Sequence, residues 1–214
     1  MRENAPTRQR RKEARPGELT AAALDLFVEK GFAATRLDDV AARAGVSKGT
    51  LYLYFDSKEA LFKAVVREGL LPALAEGEQL VSAYSGDSSS LLREVIAGMW
   101  LQIGSQRVGG LPKLVFAEAR NFPEIARFYH EEVIRRGTSL IASVVERGIR
   151  RGEFRPRNML ATVHILVAPM LMRMIWQHSM DGCGATAAPI DEFLDEYFAI
   201  LLHGLCSPVA GETR

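Results

Sequence analysis

Between Thr35 and Phe55 two short stretches of helical apolar spacing are separated by Gly45-Val46-Ser47. Leu37, Val40, Ala41 and Ala44 fall at i, i+3, i+4 and i+7, which is one face of a short helix. Thr35 precedes it with Asp38 three residues on, a pattern that resembles a capping box with Asp in place of Glu or Gln. Gly45-Val46 breaks the helix, and Ser47 is a natural N-cap for a third helix over about 47–55. Val46, Leu51 and Phe55 can brace that helix from behind. Lys48, Thr50, Tyr52 and Tyr54 are left on the other side. Two short helices joined by a tight glycine turn form a helix-turn-helix pattern, whose second helix suits the DNA major groove.

The rest of the chain is also helical in pattern. Leu19, Ala22, Ala23, Leu26 and Phe27 share one helical face, with Pro16 in the expected first turn and Gly31 as the stop. Asp56-Ser57 caps a fourth helix that carries Leu61, Phe62, Val65 and Val66. Gly86-Asp87-Ser88-Ser89-Ser90 is read as a loop, and Leu92 to Ile103 as a long apolar stripe. Gly109-Gly110-Leu111-Pro112 is a break. A long helix is expected from Asn121-Phe122-Pro123-Glu124 to Arg151-Gly152. A helix over about 157–179 is apolar nearly all round and is expected to kink at Pro169. A loop with Gly182, Gly184 and Pro189 precedes a last helix over about 190–206. No useful strand alternation or internal repeat is present. The expected fold is all-α. A basic flexible arm covers 1–15, a three-helix helix-turn-helix domain 16–62, and a larger C-terminal helical domain 63–214.

Charge refines this division. The 214 residues are 48% apolar and 25% charged, the mixture of an ordinary globular chain, and the net charge is only +1. A globally basic nucleic-acid binder is excluded, but residues 1–63 carry a net +3 and 64–214 a net −2. Most of the excess lies in Arg2, Arg8, Arg10, Arg11, Lys12 and Arg15, an arm suited to phosphates or a minor groove. The two cysteines, Cys183 and Cys206, exclude a disulfide scaffold and fit a reducing compartment. The N-terminus has no apolar signal region. The longest unbroken apolar run, Ile165–Met172, falls far short of the roughly 20 residues of a spanning helix. A soluble cytoplasmic protein without a membrane partner is expected.

On the side expected to face DNA, Lys48 can donate to guanine or to phosphate. The Thr50, Tyr52 and Tyr54 hydroxyls suit phosphate oxygens, and a ring or methyl can meet a thymine methyl. Lys58 near the start of the fourth helix combines a cation with that helix's free amides, an expected phosphate site.

Residues 22–62 resemble the N-terminal DNA-binding domain of the TetR/AcrR repressor family. The matching features are Phe27, Gly31-Phe32, Thr35, Val40-Ala41, Ala44-Gly45-Val46-Ser47, Gly49-Thr50-Leu51-Tyr52, Tyr54-Phe55, Ser57-Lys58-Glu59 and Leu61. The resemblance implies that Thr50, Tyr52, Tyr54 and Lys58 grip DNA and that Lys48 lies where bases are read. Thr35, Arg36, Ser47 and Gly49 complete the expected DNA-binding set. It also implies that 63–214 senses a ligand and dimerises through the helices at about 157–179 and 190–206.

Competing motifs are weaker. Gly45-Val46-Ser47-Lys48-Gly49 matches a nucleophile elbow, but a helix and not a strand precedes it, so Ser47 is read as a cap. Gly182-Cys183-Gly184-Ala185-Thr186-Ala187 matches a dinucleotide fingerprint without its strand and is read as a loop. The histidines lack metal-ligand spacing, and nothing near Cys183 marks it as redox-active. No cofactor, metal or catalytic residue is expected. Trp100, Ile103, Phe116, Arg120, Phe122, His164 and Trp176 are the candidate ligand contacts, although core or surface roles compete for each. The expected function is a homodimeric repressor that leaves a palindromic operator when a small, largely apolar effector binds. Two alternatives stand beside it: a DNA-binding adaptor for a protein partner, and a small helical enzyme or carrier that keeps a helix-turn-helix.

Overall fold

The computed structural model describes residues 8–180, 183 and 187–206, with the backbone alone for 8–15. Its helices in chain order are α1 Arg8–Ala34, α2 Leu37–Arg43, α3 Lys48–Tyr52, α4 Lys58–Gly69, α5 Leu71–Ala83, α6 Ser88–Met99, α7 Leu111–Glu118, α8 Pro123–Tyr129, α9 Arg135–Arg150, α10 Met159–Met180 and α11 Ile190–Leu205. Among the described residues there is no strand, only one antiparallel bridge between Phe154 and Cys206. The all-α class is as expected. The chain forms two compact units, one of Met1–Gly69 with Leu114–Tyr129, the other of Leu70–Lys113 with His130–Arg214.

The first unit is larger than the stretch 16–62. Helix α4 runs unbroken to Gly69 with Val65 and Val66 buried, so no boundary falls at residue 62. Its core is aromatic. Phe27, Phe32 and Phe62 meet pairwise with centroids 5.5–5.8 Å apart, two of the three pairs edge-on, the geometry ring quadrupoles favour. Gly31 makes this possible. Its φ of 83° and ψ of 168° break α1 in a region only glycine enters readily, and the turn carries Phe32 inward.

Helix α1 also begins earlier than Pro16. Its backbone is helical from Arg8, because Gln9 to Arg15 are almost all straight-chain helix formers or alanine. Pro16 therefore lies inside the helix. Residues 1–7 of the expected arm lie outside the described residues, as do Gly182 and Gly184–Thr186 of the glycine loop.

In the second unit, α5, α6 and α9 pack on one another and α10 packs on α9. The core includes Leu92, Trp100, Val144, Phe154, Leu166 and Phe198. The buried Tyr197 hydroxyl donates to the Leu166 carbonyl at 2.6 Å and ties α11 to α10. Burial pushes that phenol's pKa up. Helix α6 starts at Ser88, inside the expected loop. Asp87 is its N-cap and accepts from the Ser90 amide at 2.8 Å, so the serines form the first turn. Two stretches, Trp100–Gly104 and His130–Ile134, are π-helical. The second separates α8 from α9, so the expected long helix is three segments.

Helix α10 is 22 residues long with a mean hydropathy of 1.6 over its most apolar window. By length and composition it is long enough to cross a membrane, although no unbroken apolar run in it is. Leu160, Ile165, Met172, Trp176 and Met180 are exposed along it, as is Ile200 on α11.

The Ser90 amide, then its hydroxyl, hold the Asp87 carboxyl below the usual carboxylate range. A depressed folded pKa gives stability that is present above the unfolded value and lost as pH falls through the folded one. Asp87→Ala should therefore cost about 1 kcal/mol at pH 7. That is a fall of roughly 2–4 °C in melting temperature. The gap between variant and parent, followed by thermal melts, should shrink as pH falls through and below the ordinary aspartate range and the parent's carboxyl takes up its proton.

Candidate nucleic-acid interface

The turn before α3 is built by backbone bonds. The Val46 amide donates to the Ala41 carbonyl at 3.0 Å and the Gly45 amide to Ala42 at 3.2 Å, with Gly45 at φ 66°. This is a Schellman ending for α2, and its left-handed residue has to be glycine at little cost. The chain leaves it into Ser47, whose Oγ accepts from the Thr50 amide at 3.1 Å and lies 2.8 Å from the Thr50 hydroxyl. Leu51 is fully buried and anchors α3, while Val46 and Phe55 are half-buried beside it.

The outward side of α3 carries Lys48, Gly49, Tyr52 and Leu53, all exposed, with Thr50 half-exposed. Lys48 reaches back to Asp38 on α2 at 2.9 Å, and its Nζ lies 5.9 Å from the Tyr52 ring centroid. The Asp38 hydrogen bond raises the Lys48 pKa, and Arg36 opposes it slightly. Both partners are more than half exposed, so the pair is worth little and can be exchanged for another anion. Arg36 is exposed at the start of α2, and Tyr54 is half-buried. Ser47, Lys48, Gly49, Thr50 and Tyr52 thus come together as one polar surface.

Four residues of the expected set lie outside it: Arg36, Tyr54, Thr35 and Lys58. Thr35 is 1% exposed. Its hydroxyl donates to the Gly31 and Leu26 carbonyls at 2.7 and 3.2 Å, closing the break in α1. Arg36, not Thr35, is the N-cap of α2, and no side chain bonds there. The Thr35 side chain is therefore no cap of α2, and it is buried.

Lys58 is also turned inward. Its Nζ donates to the Phe32 and Ala33 carbonyls at 2.7 and 3.1 Å and sits 4.5 Å from the Phe32 ring centroid. Carbonyls at the end of α1 carry partial negative charge and attract the cation. Burial lowers its pKa, against the pull of Glu59 and Glu118. Two of the three donors of the ammonium, which the sequence assigns to phosphate, go to the protein's own backbone.

The candidate ligand contacts are divided between the two units. Trp100 and Ile103 are buried in the second unit at the π-helical turn, whereas His164 and Trp176 are exposed on α10. Phe116, Arg120 and Phe122 belong to the first unit, with Phe116 58% exposed and Arg120 exposed. The Phe122 ring packs edge-on against Phe32 at 4.7 Å. The Glu118 carboxylate accepts from the Ala33 amide at 3.2 Å. The stretch Glu118–Phe122 thus braces the end of α1, a contact between distant segments that local sequence does not announce. Leu53, 83% exposed beside Tyr52, is the other residue the sequence pattern passes over.

A five-residue helix presented polar side out, behind a glycine turn and on a braced aromatic core, defines a helix-turn-helix DNA-binding protein. The pattern of bacterial regulatory proteins of the tetR family matches residues 19–65. That of tetracyclin repressor-like C-terminal domains matches 84–196. The chain belongs to the tetR family of bacterial transcriptional regulators. It is 32% identical to the uncharacterized HTH-type transcriptional regulator YfiR of Bacillus subtilis over 154 residues, 71% of this chain and 74% of that protein. It is 28% identical to the HTH-type transcriptional repressor KstR2 of Rhodococcus jostii over 199 residues, 92% and 94% of the two chains. The solved structure of FadR from Bacillus subtilis, a transcriptional regulator in complex with stearoyl-CoA, shares the fold. Its TM-score is 0.73 at 17% identity, over 88% of this chain and 98% of that one.

The two lysines should behave oppositely. Lys58→Ala removes two charge-assisted bonds, about 2 kcal/mol. That should lower the melting temperature by roughly 4–8 °C. Lys48→Ala should leave it within about 2 °C, as expected of an exposed pair. Differential scanning fluorimetry reads both, and an unchanged melt for Lys58→Ala would mean its ammonium is free in solution.

Proposed function

We propose that this protein is a homodimeric repressor that leaves its operator when a small, largely apolar effector binds. The carrying observation is α3, with Lys48, Thr50 and Tyr52 presented over a buried Leu51. A helix of this width fits the major groove, about 12 Å across. Lys48 exchanges Asp38 for a guanine edge or phosphate, and the Thr50 and Tyr52 hydroxyls take phosphates. Arg36 adds charge at the start of α2.

Two copies give a palindromic operator, with half-sites roughly 10 bp apart or a small multiple. The exposed apolar side chains on α10 recur at helical spacing, and with Ile200 on α11 they offer the surface for the second copy. Burying that surface in a dimer accounts for an apolar helix in a cytoplasmic protein. Arg173 on the same helix donates to the Ala188 carbonyl at 2.8 Å, a tie that suits a protein surface better than a bilayer.

The stearoyl-CoA bound to the FadR neighbour supports an effector with a long apolar part. Trp100 and Ile103 are buried at the π-helical turn, so an effector there has to part that packing, and the cost makes the open form a minor state until ligand binds. The effector then releases DNA only to the extent that it prefers the form that binds DNA poorly.

Fluorescence anisotropy on DNA from upstream of the chain's own gene, against scrambled DNA at about 0.15 M salt, tests this reading. Selective binding is expected, weakened about 5- to 150-fold by Tyr52→Ala or Lys48→Ala with the fold intact. Addition of stearoyl-CoA and a panel of uncharged apolar compounds should release the DNA with at least one of them. Light scattering should give twice the 23.6 kDa chain mass, and Met172→Arg should give the single mass. A monomer that ignores DNA sequence would overturn the proposal.

A further inference from the structure

The outermost line of α3 is made by two residues without hydrogen-bonding side chains. Leu51 is fully buried, so the opposite side of the helix faces away from the unit. At about 100° per residue, Gly49 and Leu53 each lie within about 20° of that outward direction. Leu53 keeps helical backbone angles, φ −71° and ψ −21°, so the geometry carries through it. Tyr52 flanks the line on one side and Thr50 on the other.

Neither residue is explained by the protein itself. Leu53, at 83%, is the most exposed large apolar side chain among the described residues. Gly49 is not among the glycines with positive φ, and a Cβ there would meet only Ser47 Oγ, at an ordinary 3.9 Å. Glycine inside a helix weakens it, and an exposed leucine gains nothing from water. Here both occur one turn apart on the line that would lie deepest in a groove.

We infer that Gly49 and Leu53 form an apolar edge that reads the C5-methyl of a thymine in the operator. Gly49 lets the base edge come close to the helix backbone, and Leu53 supplies the apolar surface. In the major groove, guanine, cytosine and adenine present donors and acceptors; thymine alone adds a methyl group. This inference rests on the DNA-reading role of α3 and adds which base its centre selects.

The test starts by selecting duplexes from a random pool with the full-length protein. Each thymine of the selected site is then replaced by deoxyuridine, which lacks only the methyl group. Dissociation constants are measured for the parent, Leu53→Ala and Gly49→Ala, with thermal melts alongside. One thymine per half-site should weaken the parent about fourfold when demethylated, the value of one buried methyl. Leu53→Ala should bind thymine and uracil equally at that position. Gly49→Ala should melt at the parent's temperature or above yet bind the site at least about tenfold more weakly. Equal uracil penalties for the parent and Leu53→Ala would overturn the methyl reading, as would no penalty at any thymine. Undiminished binding by Gly49→Ala would overturn the close approach. If the parent enriches no sequence, the DNA-reading role itself fails and takes this inference with it.

Discussion

A helix of five residues has no stability of its own. Nucleating a helix is costly, and isolated helices shorter than about 12 residues are marginal even in favourable sequences. Everything around α3 answers that constraint. Ser47 supplies the missing cap, Leu51 buries one face completely, and the Schellman turn at Gly45 sets the entry. Behind these, Phe27, Phe32 and Phe62 form the floor, and the break at Gly31 turns Phe32 into it. Lys58, Glu118 and Thr35 each bond to backbone at that break, so its exposed donors and acceptors find partners inside the unit. The result is a short helix whose shape is imposed by its neighbours.

Charge follows the same logic of place rather than number. The chain is nearly neutral overall, yet Lys48 and Lys58, ten residues apart, have opposite roles. Lys58 meets the carbonyl end of α1 and two aromatic rings, and is held. Lys48 meets an exposed carboxylate in high-dielectric surroundings, a partner it can exchange for another anion. A cation's residue type says little about which of these happens; the backbone that comes near it decides.

That distinction also marks how much was legible beforehand. Periodic elements were readable because their signal is local: the face of Leu19, Ala23, Leu26 and Phe27 is buried, and Ser47 and Ser57 cap α3 and α4. The helix at Ile190–Leu205 sits almost where its apolar face places it. Local signals misled where two readings share one sequence. Asp87 with three serines looks like a loop and is a helix start. The π-helical turns carry no composition of their own. Long-range contacts were not legible at all. Phe122 looks like a pocket residue until the fold brings it against Phe32, ninety positions earlier. The polar surface of α3 was readable because its members are neighbours in the chain. The ligand contacts were not, because seven scattered side chains can share a pocket only if tertiary packing gathers them.

Residues 48–54 are the surface proposed to meet DNA. Photocross-linking reads this directly. Duplexes enriched by the protein are prepared with 5-iodouracil in place of each thymine, irradiated, and the attached peptides are mapped by mass spectrometry. Attachment is expected within Lys48–Tyr54, at Tyr52 above all, from positions inside the two half-sites. Attachment confined to other surfaces, with none in that segment, would contradict that placement.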